Sequence, residues 1–134
     1  MNKKIPVGIL GATGSVGQMF VNLLQDHPFF EINDLCASER SQNKKYSEIV
    51  NWIIPKPLPE KIGSMIVKPC EPNIKSRIVF SGLDSKVAGE IESNFAKNGY
   101  IVISNSKNHR MYENIPLLIP DVNPDHLDLI KHQK

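Results

Sequence analysis

The chain has 134 residues, 40% hydrophobic and 22% charged, a composition that suits one globular domain with a real core and excludes a disordered chain. Its formal net charge of +2 and lack of a long Lys/Arg run argue against nucleic acid as a partner. No apolar stretch approaches membrane-spanning length, and Met1-Asn2-Lys3-Lys4 leads into a strand-like segment without a signal-peptide core, so a cytoplasmic protein with no membrane partner is expected.

Ile5 to Leu10 is a short apolar run ending in glycines, the pattern of a buried parallel strand. A helical pattern follows, with Val16, Phe20, Leu23, Leu24 and His27 on one face and Pro28 closing it. Ile32 to Ala37 reads as a second strand. Tyr46 to Ile54 suits a short helix, ended by Pro55-Lys56-Pro57-Leu58-Pro59. Met65 to Lys68 is a weak third strand and Ile78 to Phe80 a better fourth.

Asp84 or Ser85 can cap the next helix, whose apolar face is Val87, Ile91 and Phe95 and whose stop is Gly99. Tyr100 to Ser104 is a β-branched fifth strand; beyond it lie Leu117 to Ile119 between prolines, and a last helix opened by Asn123-Pro124 with Leu127 and Ile130 inside. Strands alternating with helices predict an α/β, doubly wound, mostly parallel sheet with helices on both faces, of Rossmann type. One NAD(P)-binding domain is expected over residues 1–134.

Gly11-Ala12-Thr13-Gly14-Ser15-Val16-Gly17 lies between the first strand and the first helix. Glycine there permits a tight turn and close backbone approach to a pyrophosphate, and the helix amino-terminus behind it adds unpaired donors and a positive dipole end. The spacing G-x-x-G-x-x-G is a variant of the dinucleotide loop, in the required strand–loop–helix order. The plainer alternative is an ordinary glycine turn. Gly11, Thr13, Gly14, Ser15, Val16 and Gly17 are therefore candidate cofactor-binding residues, with Ser15 able either to cap the helix or to donate to a phosphate oxygen.

The end of the second strand discriminates between cofactors. An acidic residue there holds a ribose 2′-hydroxyl, whereas arginine favours a 2′-phosphate. Here the chain reads Ser38-Glu39-Arg40-Ser41, then Lys44-Lys45. Two hydroxyls flanking a guanidinium favour NADP, although an inward Glu39 carboxylate would oppose it.

Together the Gly11–Gly17 loop with Gln18, His27-Pro28, Ser38-Glu39-Arg40-Ser41 with Lys44-Lys45-Tyr46, Trp52, Phe80-Ser81-Gly82-Leu83, Ser104-Asn105-Ser106, Arg110, and Ile115-Pro116-Leu117 leading to Pro120-Asp121-Val122-Asn123 resemble aspartate-semialdehyde dehydrogenase of the archaeal and fungal type. The resemblance covers nearly the whole chain. It implies that Ser38, Arg40 and Ser41 hold the 2′-phosphate, and that Ser81, Gly82 and Leu83 pass beneath the cofactor. Asn105 would face the active site beside the cofactor, and Arg110 would bind the phosphate of the acyl-phosphate substrate. Asp121 departs from the Glu expected in many relatives, and no catalytic role is assigned to it.

The implied reaction is NADPH-dependent reductive dephosphorylation of β-aspartyl phosphate to the semialdehyde, through a cysteine nucleophile, in a protein expected to be a homo-oligomer. Neither cysteine qualifies. Cys36 sits in an apolar strand, Cys70 precedes Glu71, and no Asn-Cys-Ser or Asn-Cys-Thr triplet occurs. No catalytic residue and no metal site is expected in this chain, and the catalytic and dimerisation domain is expected to lie outside it. Two alternatives stay open: the cofactor domain of a malonyl-CoA or succinyl-CoA reductase, and an NADP-binding sensor without chemistry.

Overall fold

The computed structural model describes residues 3–104, without the Glu39 side chain. The expectations for Asn105, Arg110, Leu117 to Ile119, Asp121 and the last helix lie outside the described residues.

Among the described residues five parallel strands form one sheet: β1 (Ile5–Leu10), β2 (Phe30–Ala37), β3 (Lys68–Pro69), β4 (Ile78–Ser81) and β5 (Ile101–Ser104), in the order β3-β2-β1-β4-β5. The order reverses between β1 and β4. In such sheets that reversal opens a crevice at the carboxyl ends of the strands. The principal helices are α1 (Ser15–Leu24) and α4 (Ser85–Lys97), and two single-turn helices, α2 (Tyr46–Ile49) and α3 (Glu60–Gly63), lie between β2 and β3.

Side chains alternate across the sheet and build two cores. Val7 and Ile9 of β1 pack with Val21 and Leu24 of α1, Ile32 and Leu35 of β2, and Tyr46 and Ile62. Leu10, Cys36 and Val79 point the other way, against Phe95 of α4 and Tyr100. Helices therefore cover both faces, as a doubly wound sheet requires. Phe95 is fully buried and meets Tyr100 edge-on at 5.0 Å, so truncating it would cost about 3–5 kcal/mol.

Strand β2 contains a bulge that period-two reading does not anticipate. Val7 pairs with Ile32 while Gly8 pairs with Asp34, so Asn33 is the extra residue. The bulge keeps Ile32 and Leu35 on one face and turns Asp34 to the other. There its carboxylate, fully buried, accepts from Lys68 Nζ, from Ser76 Oγ at 2.6 Å and from the Ser76 amide at 3.2 Å. Gly8 makes room for this: a β-carbon on it would lie 3.0 Å from Ile74 Cδ1 and 3.4 Å from Asp34 Cβ.

Several elements differ from expectation. In α1 the buried side includes Gln18 and Val21, whereas Leu23 is 62% exposed. His27 lies beyond the helix, where Nδ1 accepts from the Phe29 and Phe30 amides and the ring packs on both phenylalanines. The helix over Tyr46 to Ile54 stops at Ile49, where Val50 turns extended, and the Ile53 amide donates to Gln18 Oε1 instead of to a helical carbonyl. Met65 to Val67 do not join the parallel sheet; they run antiparallel to 43–46, with Asn43 N donating to Val67 O and Tyr46 N to Met65 O. Helix α3 follows the proline segment directly, starting after Pro59. In α4, Asp84 is the cap and accepts from Lys86 N. Its inner face is Ala88, Glu92 and Phe95, with Val87 half-exposed.

Candidate dinucleotide site

The loop Gly11–Gly14 connects β1 to α1 at the point where the strand order reverses. Gly11 has φ +76°, a left-handed conformation that glycine adopts without penalty. Its amide and that of Ala12 both donate to Cys36 O, at 2.9 and 3.0 Å, which fastens the loop to the end of β2. From Cys36 the strand runs on through Ala37 to Ser38, so loop and candidate phosphate cluster are neighbours.

Three glycines interlock where α1 meets β4. A β-carbon on Gly17 would lie 2.0 Å from Gly11 O, one on Gly82 would lie 2.8 Å from Gly17 N, and one on Gly11 would lie 3.0 Å from the Gly82 carbonyl. Gly82 N also donates to Leu10 O at 2.9 Å, closing β4 onto β1. Gly14 differs from these. A β-carbon there would meet only Gly11 O, at 3.7 Å, and the residue is exposed with ordinary backbone angles. Open space above Gly14 is what a phosphate group would need.

The first turn of α1 faces this space. Gly14 is the helix cap, so the capping role open to Ser15 falls to its neighbour, and Ser15 stands exposed in the first helical position. The amides of Ser15, Val16 and Gly17 have no intrahelical acceptor there and carry the positive end of the helix dipole. Thr13 and Val16 are half-buried at the same edge.

Beyond β2, Glu39–Ser41 forms a single 3₁₀ turn in which Ser41 N donates to Ser38 O at 2.9 Å. Ser38 and Arg40 are exposed and Ser41 is half-buried, so two hydroxyls and a guanidinium share one short turn open to solvent. At the end of β4, Ser81 is fully buried, and Gly82 and Leu83 are half-buried. There a ligand could touch backbone and Leu83, but not the Ser81 hydroxyl.

Both thiols are poor nucleophiles. Burial raises the Cys36 thiol far above its ordinary range. Burial pushes Cys70 up to about 11, the Gly11 amide pulling the other way. Among the described residues no group of three His, Cys, Asp or Glu side chains could hold a metal ion, and no helix is long and apolar enough to cross a membrane.

Sequence reading assigned no role to the groups behind the loop, although Gln18 and Tyr46 are among the residues that carry the family resemblance. Tyr46 is fully buried, and its Oη donates to Ala12 O at 2.6 Å. Gln18 Nε2 donates to Thr13 O at 3.1 Å and Asn51 O at 3.0 Å, while its Oε1 accepts from Ile53 N. It also missed Glu92, buried in α4, whose Oε2 accepts from Ser104 Oγ at 2.6 Å at the end of β5. A glutamine or glutamate on the inner side of an amphipathic helix was the available signal.

Residues 6–130 match a family model described as semialdehyde dehydrogenase, NAD binding domain. An aspartate-semialdehyde dehydrogenase of Archaeoglobus fulgidus is 47% identical over 96% of this chain and 38% of its own length. One of Schizosaccharomyces pombe is 50% identical over 96% of the chain and 36% of its own length. The crystal structure of aspartate semialdehyde dehydrogenase with NADP from Candida albicans superposes with a TM-score of 0.93, at 45% identity, over 97% of this chain and 37% of that one. The chain thus spans a little over a third of the length of the relatives it matches.

Proposed function

The chain belongs to the semialdehyde dehydrogenase family through its NAD-binding domain, and from that premise we propose that it holds NADP(H) for an aspartate-semialdehyde dehydrogenase. The observation that carries the reading is the pairing of open space over Gly14 with exposed Ser38 and Arg40 and half-buried Ser41 in the turn one strand away. A glycine loop and helix amino-terminus suit a pyrophosphate. Arg40, with Ser38 and Ser41, suits a 2′-phosphate.

In this reading Gly11, Thr13, Gly14, Ser15, Val16 and Gly17 form the pyrophosphate site: Gly11 and Gly14 shape the turn, their amides donating to Cys36 O and Gly11 O, and the amides of Thr13, Ser15, Val16 and Gly17 are the ones left to donate to the phosphates. Gly82 and Leu83 support the cofactor where the strand order reverses, Ser81 contributing through its backbone. Asn105 serves the nicotinamide end and Arg110 the substrate phosphate. The cofactor, when bound, supplies hydride to an acyl group; the protein supplies binding and orientation.

The whole reaction is the reductive dephosphorylation of β-aspartyl phosphate to aspartate semialdehyde, in a cytoplasmic homo-oligomer. The nucleophile and most substrate contacts belong outside these 134 residues, since neither Cys36 nor Cys70 is activated. The 47% and 50% identities to aspartate enzymes favour this substrate over malonyl-CoA or succinyl-CoA. The test is to assay the longest natural polypeptide that contains this chain. Phosphate-dependent NADPH formation from aspartate semialdehyde supports the reading. NADPH oxidation driven by malonyl-CoA or succinyl-CoA alone would replace it with an acyl-CoA reductase, and binding without turnover would favour a sensor.

A further inference from the structure

Every carbonyl of the loop Gly11–Gly14 is already occupied from within the chain. Gly11 O accepts from Gly14 N at 3.2 Å, and Gly14 O accepts from Gln18 N at 2.9 Å. These two bonds come with the turn and the helix. The two carbonyls between them have no backbone donor. Ala12 O is taken by Tyr46 Oη and Thr13 O by Gln18 Nε2.

A carbonyl oxygen carries a partial negative charge and repels an anion, whereas an amide N–H attracts one. A loop that binds phosphate must therefore dispose of its carbonyls as well as aim its amides. Tyr46 and Gln18 act from behind. Tyr46 is pinned by its amide to Met65 O and by an edge contact to Trp52, with ring centroids 6.5 Å apart. Burial raises the Tyr46 phenol, so it stays a donor throughout the working pH range. Gln18 is anchored on its far side by Asn51 O and Ile53 N.

We propose that Tyr46 and Gln18 are positioning residues for the cofactor: by holding the Ala12 and Thr13 carbonyls inward they keep acceptor oxygens away from the pyrophosphate and leave it to the Thr13 amide and the first-turn amides of α1, the other loop amides being spent on Cys36 O and Gly11 O. This rests on the reading of the loop as the NADP(H) pyrophosphate site. The 46–53 segment is thereby a buttress for the loop, and it need not touch the ligand.

The effect should be confined to the pyrophosphate, which gives a test that a merely structural role would fail. Wild type, Tyr46→Phe and Gln18→Met are titrated with NADPH, ADP and adenosine 2′-monophosphate, with thermal unfolding measured in parallel. Tyr46→Phe keeps the ring and its packing, and Gln18→Met is an independent variant on the second carbonyl. Losing one neutral hydrogen bond corresponds to a roughly three- to tenfold weaker complex. The expected result is that loss for NADPH and ADP in both variants, with adenosine 2′-monophosphate unchanged. Unchanged NADPH affinity in both variants, or equal weakening of all three ligands, would overturn the proposal. A wild-type chain that binds none of the three would remove the underlying cofactor reading as well.

Discussion

A β-carbon on Gly17 would lie 2.0 Å from the carbonyl oxygen of Gly11, inside any tolerable non-bonded distance, while one on Gly14 would meet that same oxygen at 3.7 Å. Two glycines of one motif therefore serve different ends. Gly17 lets α1 seat on the loop, and Gly14 keeps the space in front of it clear. Gly17→Ala should destabilise the domain by about 1–3 kcal/mol or more, since backbone rather than a flexible side chain must move. Gly14→Val should leave stability within about 1 kcal/mol and abolish NADPH binding. Thermal unfolding and calorimetric titration of the two variants check this, and a Gly14→Val protein that binds NADPH normally would make the loop a plain turn.

Asp34 predicts an acid sensitivity. Burial pushes its carboxyl up, but the hydrogen bonds from Lys68 and Ser76, with the Lys68 charge, outweigh burial and hold it below its ordinary 3.8. A carboxyl depressed in the folded state contributes stability above its unfolded pKa and loses it as pH falls through the folded one. Wild-type stability should therefore decline steeply below about pH 4. Asp34→Asn should be less stable at neutral pH by about 1–3 kcal/mol, with a shallower acid slope. Denaturant titrations between pH 3 and pH 7 would show this; parallel slopes for the two proteins would mean that another group governs the acid limb.

The cysteines should be inert. Burial pushes the Cys70 thiol up to about 11, so at neutral pH it holds far less thiolate than an ordinary cysteine. Alkylation of Cys70 in the folded chain by iodoacetamide should be slower than that of a free thiol by roughly tenfold or more, and that of the fully buried Cys36 slower still. The chain alone, mixed with NADP, aspartate semialdehyde and phosphate, should give a flat NADPH trace. Turnover that disappears on Cys36→Ser or Cys70→Ser would show that one of them is an activated nucleophile.

The order of most elements was legible because β1, β4 and β5 are apolar runs closed by glycine or serine and the glycine loop falls between β1 and α1, whereas β3, the two residues Lys68–Pro69, carries no such run. Ser38 to Ser41 was legible as a turn because β2 plainly ends at Ala37. What stayed hidden depends on contacts distant in sequence. The β2 bulge exists because Asp34 must reach Lys68 and Ser76, 34 and 42 residues away. The short α2 ends where Val50 turns extended, and the Ile53 amide beyond it is taken by Gln18. An aspartate inside an apolar strand, opposite a glycine inside another, was the trace these contacts left in the sequence. The role of Tyr46 left no comparable trace, since a tyrosine at a helix start is ordinary until its hydroxyl is seen on Ala12.

If the domain holds NADP(H) as proposed, the Ser38-Glu39-Arg40-Ser41 turn should select its 2′-phosphate. Calorimetric titration of wild type and Arg40→Ala with NADPH and with NADH tests it directly. One charge-assisted contact is worth about 1.5–3 kcal/mol, roughly a tenfold to hundredfold difference in affinity. Wild type should bind NADPH tighter than NADH by that factor, and Arg40→Ala should lower NADPH affinity to near that for NADH while leaving NADH unchanged. Equal affinities for the two cofactors in the wild type, or an Arg40→Ala protein that keeps its preference, would contradict the account.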